Sequence, residues 1–437
     1  METDIAYNNA LDYLYSFVDY SLKKSSELAK ADFNLDRMRV LMDALGNPDK
    51  KYPIIHVAGT KGKGSTSALI ASALRAAGHR TGLYTSPHLQ DYVERIQIDG
   101  VSVSHEGLIN LVEEIKPAVR RIPKLTTFEI TTAIGFLYFA QQKVDAAVIE
   151  VGLGGRLDAT NVVMPRVAVI TSLSYDHMAV LGSTLTLIAG EKAGIIKPGI
   201  PVISAPQLDE ARAVLEEVSA ERNAPLTLVG REVHIEAGEH TLDGQNLTLF
   251  TPDPVRLHIP LLGAHQVVNA ATAYMALSES GLKISEAAIR KGFAEVSWPC
   301  RFEIVQREPT VILDSAHNPD SFEKLARTLE DYFPGKAIIL IFGSSEDKDM
   351  AGMLSVLQDK VSIVLATKAD HPRAVEPEMI KELALRLGVR AETVVPVEAA
   401  LNQALELSVD RNKIIVSAGS MFVTAEVKTA WQKLKKR

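Results

Sequence analysis

The chain has 437 residues, 46% hydrophobic and 23% charged, a globular mix long enough for two domains. Lys and Arg number 47 against 54 Asp and Glu, and a net charge of -7 gives no sign of the basic stripe a nucleic-acid binder carries. A single cysteine, Cys300, excludes an intrachain disulfide and a cysteine metal cluster.

The N-terminal METDIAYNNALDYLYSF is acidic and lacks the basic and apolar regions of a signal peptide. YPIIHVA (52–58) reads as a strand, followed by a glycine-rich turn and a helix over 63–77. TGLYT (81–85) reads as the next strand, and helices are expected over 106–122 and 128–142. The apolar run TTAIGFLYFA inside the latter is too short to span a membrane, so a cytoplasmic protein is expected. Unbroken apolar runs at 144–152 and 166–173 predict buried strands, and after them come a helix near 184–196 and a strand over 201–205. From Leu226 to Gly263 short β patterns and turn residues replace the helices, which predicts a small antiparallel insertion.

Two helices are expected at 264–280 and 285–294, then SWPCR (297–301), with Pro299 as a linker proline. A second βα series places strands at 310–316, 336–343, 361–367 and 413–419. The expected fold is α/β: a P-loop NTP-binding parallel-sheet domain with the antiparallel insertion over 1–298, and a smaller C-terminal Rossmann-like α/β domain over 299–437. The basic tail of Lys433, Lys435, Lys436 and Arg437 is read as complementing the dipole of a last helix.

The stretch HVAGTKGKGSTSALI (56–70) carries the chemistry. Gly59, Gly62 and Gly64 allow backbone N–H groups to face phosphate oxygens, Lys63 adds a point charge, and Ser65 or Thr66 offers a hydroxyl to Mg2+. A glycine turn that merely packs is the alternative. Three glycines around a lysine, with Ser-Thr directly after, between strand and helix, favour phosphate.

GTKGKGST, TSPHLQDYVERIQIDG (85–100) and EVGLGGRLDATN (150–161) together resemble the folylpolyglutamate synthase and dihydrofolate synthase family of Mur-type ligases. The resemblance continues through YDHMAVLGSTLTLIAGEKAGIIKPG, GAHQVVNAATA, WPCRFEIV, DSAHNPDS and EDKD, over nearly the whole chain. It implies that ATP phosphorylates a folate or pteroate carboxylate and that the amine of L-glutamate attacks the acyl phosphate. It implies ATP and two Mg2+ as cofactors, small-molecule partners only, and a monomer.

By the same resemblance, Gly59, Thr60, Lys61, Gly62, Lys63, Gly64, Ser65 and Thr66 hold the nucleotide phosphates. Ser65 and Glu150 would hold one Mg2+ and His177 a second, with Asp176 orienting it. Lys192, matching a lysine that can be carbamylated, would assist the second metal. Asp158 and Asn161 either help place the pterin or only shape their loop. Ser86, Pro87 and His88 match a folate-binding segment. Asn269 resembles an adenine contact, the alternative being a solvent-facing side chain. Arg301, Asp314 and His317 resemble nucleotide contacts from the second domain.

This sequence departs from the family's usual pattern at three places: Ser315 and Cys300 stand where glycine is usual, and Lys61 where bacterial members more often have Asn. Two other readings remain open at this level. A different Mur-type amino-acid ligase would carry a longer segment before its phosphate loop. A P-loop regulatory switch would need no second α/β domain.

Overall fold

The computed structural model describes residues 2–19, 33–409 and 412–436. The first sheet is built from β1 (Ile54–Ala58), β2 (Thr81–Tyr84), β3 (Ile96–Ile98), β4 (Val101–Ser102), β5 (Ala146–Glu150), β6 (Val167–Ile170), β7 (Val202–Ser204) and β8 (Leu226–Leu228). Their order is β4-β3-β2-β5-β1-β6-β7-β8. The six strands from β2 to β8 in that order are parallel, and β3 and β4 form an antiparallel edge. β1 and β5 are buried at every position, because a strand covered on both faces has no solvent side.

Two elements differ from the sequence-based expectation. β8 was expected inside the antiparallel insertion, but Leu226 pairs in parallel with Val202, so the insertion begins after it. The β3–β4 hairpin was not expected, although Asp99-Gly100 signals one: both residues have positive φ (53° and 80°), as a tight two-residue turn requires.

The insertion proper is β9 (His234–Thr241), β10 (Gly244–Phe250) and β11 (Pro254–Ile259), in the order β11-β10-β9. Connections of two and three residues are too short for a crossover, so these strands are antiparallel. β11 alternates exposed and buried residues, the period of a strand with one wet face.

The second sheet contains β12 (Glu303–Arg307), β13 (Thr310–Leu313), β14 (Ala337–Phe342), β15 (Val361–Ala366), β16 (Ala391–Thr393) and β17 (Lys413–Ala418) in the order β12-β13-β17-β14-β15-β16. Only β12 runs antiparallel to its neighbour. Phe322, Leu340, Phe342 and Val416 lie in its core. Helix Pro319–Tyr332 starts where Asn318 accepts a bond from the Ser321 amide and Pro319 takes the first helical position.

The chain divides into two compact units. One runs to Gly238 and includes Asn246–Ile259 and Gln266–Val296; the other comprises Glu239–Gln245, Pro260–His265 and the residues from Ser297 onward. Lys433, Lys435 and Lys436 fall in the last turn of helix Met421–Lys436, where cations complement the dipole. Arg437 lies outside the described residues. Among the described residues, no helix is long and apolar enough to cross a membrane.

Helix Lys63–Ala76, which starts at the phosphate loop, is held by helix Glu286–Ala294 at a close backbone approach. Ser72 Oγ donates to the Gly292 carbonyl at 2.7 Å, and a Cβ on Gly292 would stand 2.4 Å from Ala73 Cα. Backbone cannot swing aside as a flexible side chain can. The helix-propensity gain of alanine, about 1 kcal/mol, is therefore outweighed by overpacking of about 1–3 kcal/mol. Gly292→Ala is expected to lower the midpoint of urea unfolding; an unchanged or higher midpoint would show that the helices separate freely.

Candidate functional site

The site is assembled at the C-terminal ends of three adjacent central strands. Val57 of β1 lies beside Glu150 of β5, and Ala58 beside Ile170 of β6. Gly59, Glu150 and Thr171 therefore leave the sheet together, at the edge where open α/β sheets bind ligands. Gly59 has φ +148°, and a Cβ there would stand 1.8 Å from Thr171 Oγ1. Gly62 has φ +90°, and its Cβ would meet Asn269 Oδ1 at 2.3 Å. Both positions accept only glycine, and both let the loop lie flat on its neighbours.

Gly62 caps helix Lys63–Ala76 and offers it no side chain. The first-turn amides, with the helix dipole behind them, suit an anion. Thr60 and Lys61 act differently: their amides both donate to the Ser172 carbonyl, at 3.0 and 3.1 Å. Thr60 Oγ1 bonds the Ser174 backbone, and Lys61 Nζ donates to Asp176 Oδ2 at 2.9 Å.

Two ammonium groups converge on one carbonyl. Lys63 Nζ and Lys192 Nζ both donate to the Gly59 oxygen, at 3.2 and 2.9 Å. Lys192, on helix Leu185–Ala193, is only 4% exposed. Burial, and then the charge of Lys63, draws its amine down to about 7. A positive cluster so enclosed favours an anionic guest.

Glu150 is buried, and its Oε2 accepts from the Ser86 amide at 3.3 Å. The TSPHL segment is thereby brought against the metal candidate. Pro87 follows in a cis peptide. His88 Nδ1 accepts from Arg95 Nε at 3.0 Å, and burial with Arg95 lowers it to about 4, so it stays neutral. Glu94 holds the loop by accepting from the amides of Leu89, Gln90 and Asp91.

Asp158 and Asn161 face inward. Asp158 accepts from the Leu153 amide on one oxygen and from the Thr160 amide and hydroxyl on the other. Asn161 Nδ2 donates to the carbonyls of Arg156 and Gly194, and its Oδ1 accepts from Lys197. These bonds favour the loop-shaping reading for both. His177 is half-exposed at φ 49°, where it opens the short helix Met178–Leu181. Asn269 is buried beneath Gly62, not solvent-facing.

Sequence reasoning missed two residues here. Gln266 accepts from Asn269 Nδ2 at 2.9 Å and reaches Ser65 Oγ at 3.4 Å, which ties the helix behind the loop to the Ser65 hydroxyl. Its three-residue spacing from Asn269 on one helix face was the signal that could have found it. His56 is fully buried and bonds Thr160 Oγ1 at 2.9 Å, extending the Asp158 brace under the sheet. Burial lowers it to about 3 and keeps it neutral.

In the second unit, Arg301, Asp314 and His317 gather at the end of β13. Asp314 accepts from the amides of Phe302 and Ala316, and burial raises its carboxyl while Arg301 opposes that. His317 Nδ1 donates to the Ser315 carbonyl at 2.8 Å. Cys300 sits at φ 57°, a conformation glycine adopts without cost, which accounts for the glycine usual there. Its thiol is pushed up to about 12 by burial and stays protonated.

The donors at the loop suit a hard cation. Ser65 Oγ and the Glu150 carboxylate offer oxygen, and Thr66 Oγ1 is buried with no hydrogen-bond partner among the described residues. Among the described residues no three His, Cys, Asp or Glu side chains converge as a metal cage. A cation would complete its shell from phosphate oxygens and water, as Mg2+ does.

The Mur ligase middle domain matches residues 57–277, and the Mur ligase glutamate ligase domain matches 300–421. The chain is 36% identical to a Bacillus subtilis dihydrofolate synthase/folylpolyglutamate synthase, over 97% of this chain and 98% of that protein. Its fold superposes on Mycobacterium tuberculosis folylpolyglutamate synthase complexed with ADP at TM-score 0.90, with 34% identity and 98% of each chain covered. E. coli FolC in complex with DHPP and ADP gives TM-score 0.87 and 33% identity, again over 98% of each chain. The chain belongs to the folylpolyglutamate synthase/dihydrofolate synthase family of Mur-type ligases.

Proposed function

We propose that this protein is an ATP-dependent ligase that joins L-glutamate to dihydropteroate, to folates, or to both, through an acyl phosphate. One observation carries the reading: two lysines on the Gly59 carbonyl, at the open end of a helix and beside a buried carboxylate. The relatives bearing both synthase names, and the complexes with ADP and with DHPP, support it.

A carboxylate is a poor acyl donor because oxide is a poor leaving group. Transfer of the γ-phosphoryl group onto it supplies phosphate as the leaving group. The glutamate amine then attacks the acyl carbon, the C–N bond forms, and phosphate departs. Two anions must be brought together for the first step, so the protein has to neutralise charge and fix geometry. Lys63 and the first-turn amides take the phosphates, and Ser86 and its segment place the acceptor beside Glu150. Ser65 and Glu150 would hold Mg2+, with His177 at a second site. Bound there, Mg2+ would act as a Lewis acid on the phosphate oxygens.

Lys192 in its neutral form is the amine that carbon dioxide adds to, and the carbamate so formed would assist the second metal. Because burial lowers Lys192 to about 7, its neutral fraction grows as pH rises through 7 rather than through 10.5.

Three outcomes are expected. Phosphate release should depend on glutamate and on a pterin acceptor; assays with dihydropteroate and with tetrahydrofolate monoglutamate decide the acceptor, and hydrolysis indifferent to both would point to a switch. Glu150→Gln should raise the Mg2+ needed for half-maximal rate by about 10- to 100-fold. Lys192→Ala should cut kcat about 100-fold, and labelled bicarbonate should give the wild type a carbamate carbon resonance that the variant lacks. Full activity in Lys192→Ala would remove the carbamate from the mechanism.

A further inference from the structure

Lys61 and Asp176 form an enclosed ion pair, their side chains 15% and 13% exposed. One Asp176 oxygen accepts from Lys61 Nζ at 2.9 Å, and the other accepts from the His177 amide at 3.0 Å. His177 is the residue that turns left-handed to start the next helix. A carboxylate that holds two groups ties the position of one to the other. With Lys61 in place, Asp176 is fixed, and the turn that presents His177 is fixed with it.

The backbone adds to the same joint. The amides of Thr60 and Lys61 share the Ser172 carbonyl, and the Thr60 hydroxyl donates to the Ser174 carbonyl while accepting from the Ser174 amide. The N-terminal half of the phosphate loop is thus spent on segment 171–177, and its second half is what remains for a ligand. From this division we infer that Lys61 is a positioning residue and not a phosphate ligand: it clamps the His177 turn to the phosphate loop before nucleotide arrives. Its effect on turnover rests on the ligase reading above; the clamp itself does not.

Removing either partner takes this ion pair from an enclosed charge, so both single changes should loosen the same segment. Removing both restores neutrality, and the double change should not add. The test is amide hydrogen exchange on the full chain without nucleotide, for Lys61→Met, Asp176→Asn, the double variant and Lys61→Arg. Amides of 172–182 should exchange at least tenfold faster in each single variant, no faster again in the double, and close to wild type in Lys61→Arg. Metal-free ADP should bind Lys61→Met within twofold of wild type, while kcat for glutamate-dependent phosphate release falls about tenfold and KM for ATP holds.

Unchanged exchange in the single variants would overturn the clamp. So would metal-free ADP binding weakened tenfold or more in Lys61→Met but not in Asp176→Asn, since that pattern marks a phosphate ligand. If Lys61→Met does not fold, Asp176→Asn and Lys61→Arg give the same comparison. A wild type without glutamate-dependent phosphate release would remove the ligase reading and leave the exchange result to decide the clamp.

Discussion

The carbonyl oxygen of Gly59 is the point on which the rest of the site depends. Two lysine amines approach it, one from the helix that follows the loop and one from a helix more than a hundred residues later. Two such groups come together in a desolvated place only if something holds them there. Here the hold is steric and backbone-borne: Gly59 lies so close to Thr171 that no side chain would fit, and the loop's first amides are bound to Ser172. Both amines are thereby placed before any ligand arrives, Lys63 as a cation and Lys192 with its charge lowered by burial.

Around that point the first unit divides its polar residues into supports and reactants. Asp158, Thr160 and His56 bond in series, Asn161 ties its loop to Gly194 and Lys197, and Gln266 with Asn269 supports the phosphate loop from behind. Glu150, Ser65, Lys63 and Lys192 face the place where the three strand ends meet. The supports narrow the positions of these side chains, so an acceptor placed by the Ser86 segment, as proposed, would meet a site that needs little rearrangement.

Much of this was legible in the sequence because it is periodic or motif-borne. Unbroken apolar runs gave β1, β5 and β6 their burial, and the glycines around Lys63 marked the phosphate loop. What stayed hidden was mostly non-local. Nothing near Lys192 in the chain announces that it shares a carbonyl with Lys63, since the contact is made by a crossover of the sheet. For Asn269 a solvent-facing side chain stays open as the alternative because its buried partner, Gly62, lies some two hundred residues away. Asp158 and Asn161 showed the residue types of a binding loop, and only their bond partners separate bracing from binding. The β3–β4 hairpin was a different case: Asp99-Gly100 carried the local signal, but it lay inside a segment read for its resemblance rather than for its turn chemistry. β8 was misplaced because three residues of strand beside a β insertion carry no mark of which sheet they join.

In the proposed reaction the groups around the Gly59 carbonyl serve to activate a carboxylate. An acceptor labelled with oxygen-18 in its carboxylate tests this most directly, by mass analysis of the phosphate released as the amide forms. One labelled oxygen is expected in each phosphate, because the C–O bond broken by glutamate leaves that oxygen on phosphorus. Unlabelled phosphate, with the carboxylate oxygen lost on amide formation recovered in water or in another product, would contradict it.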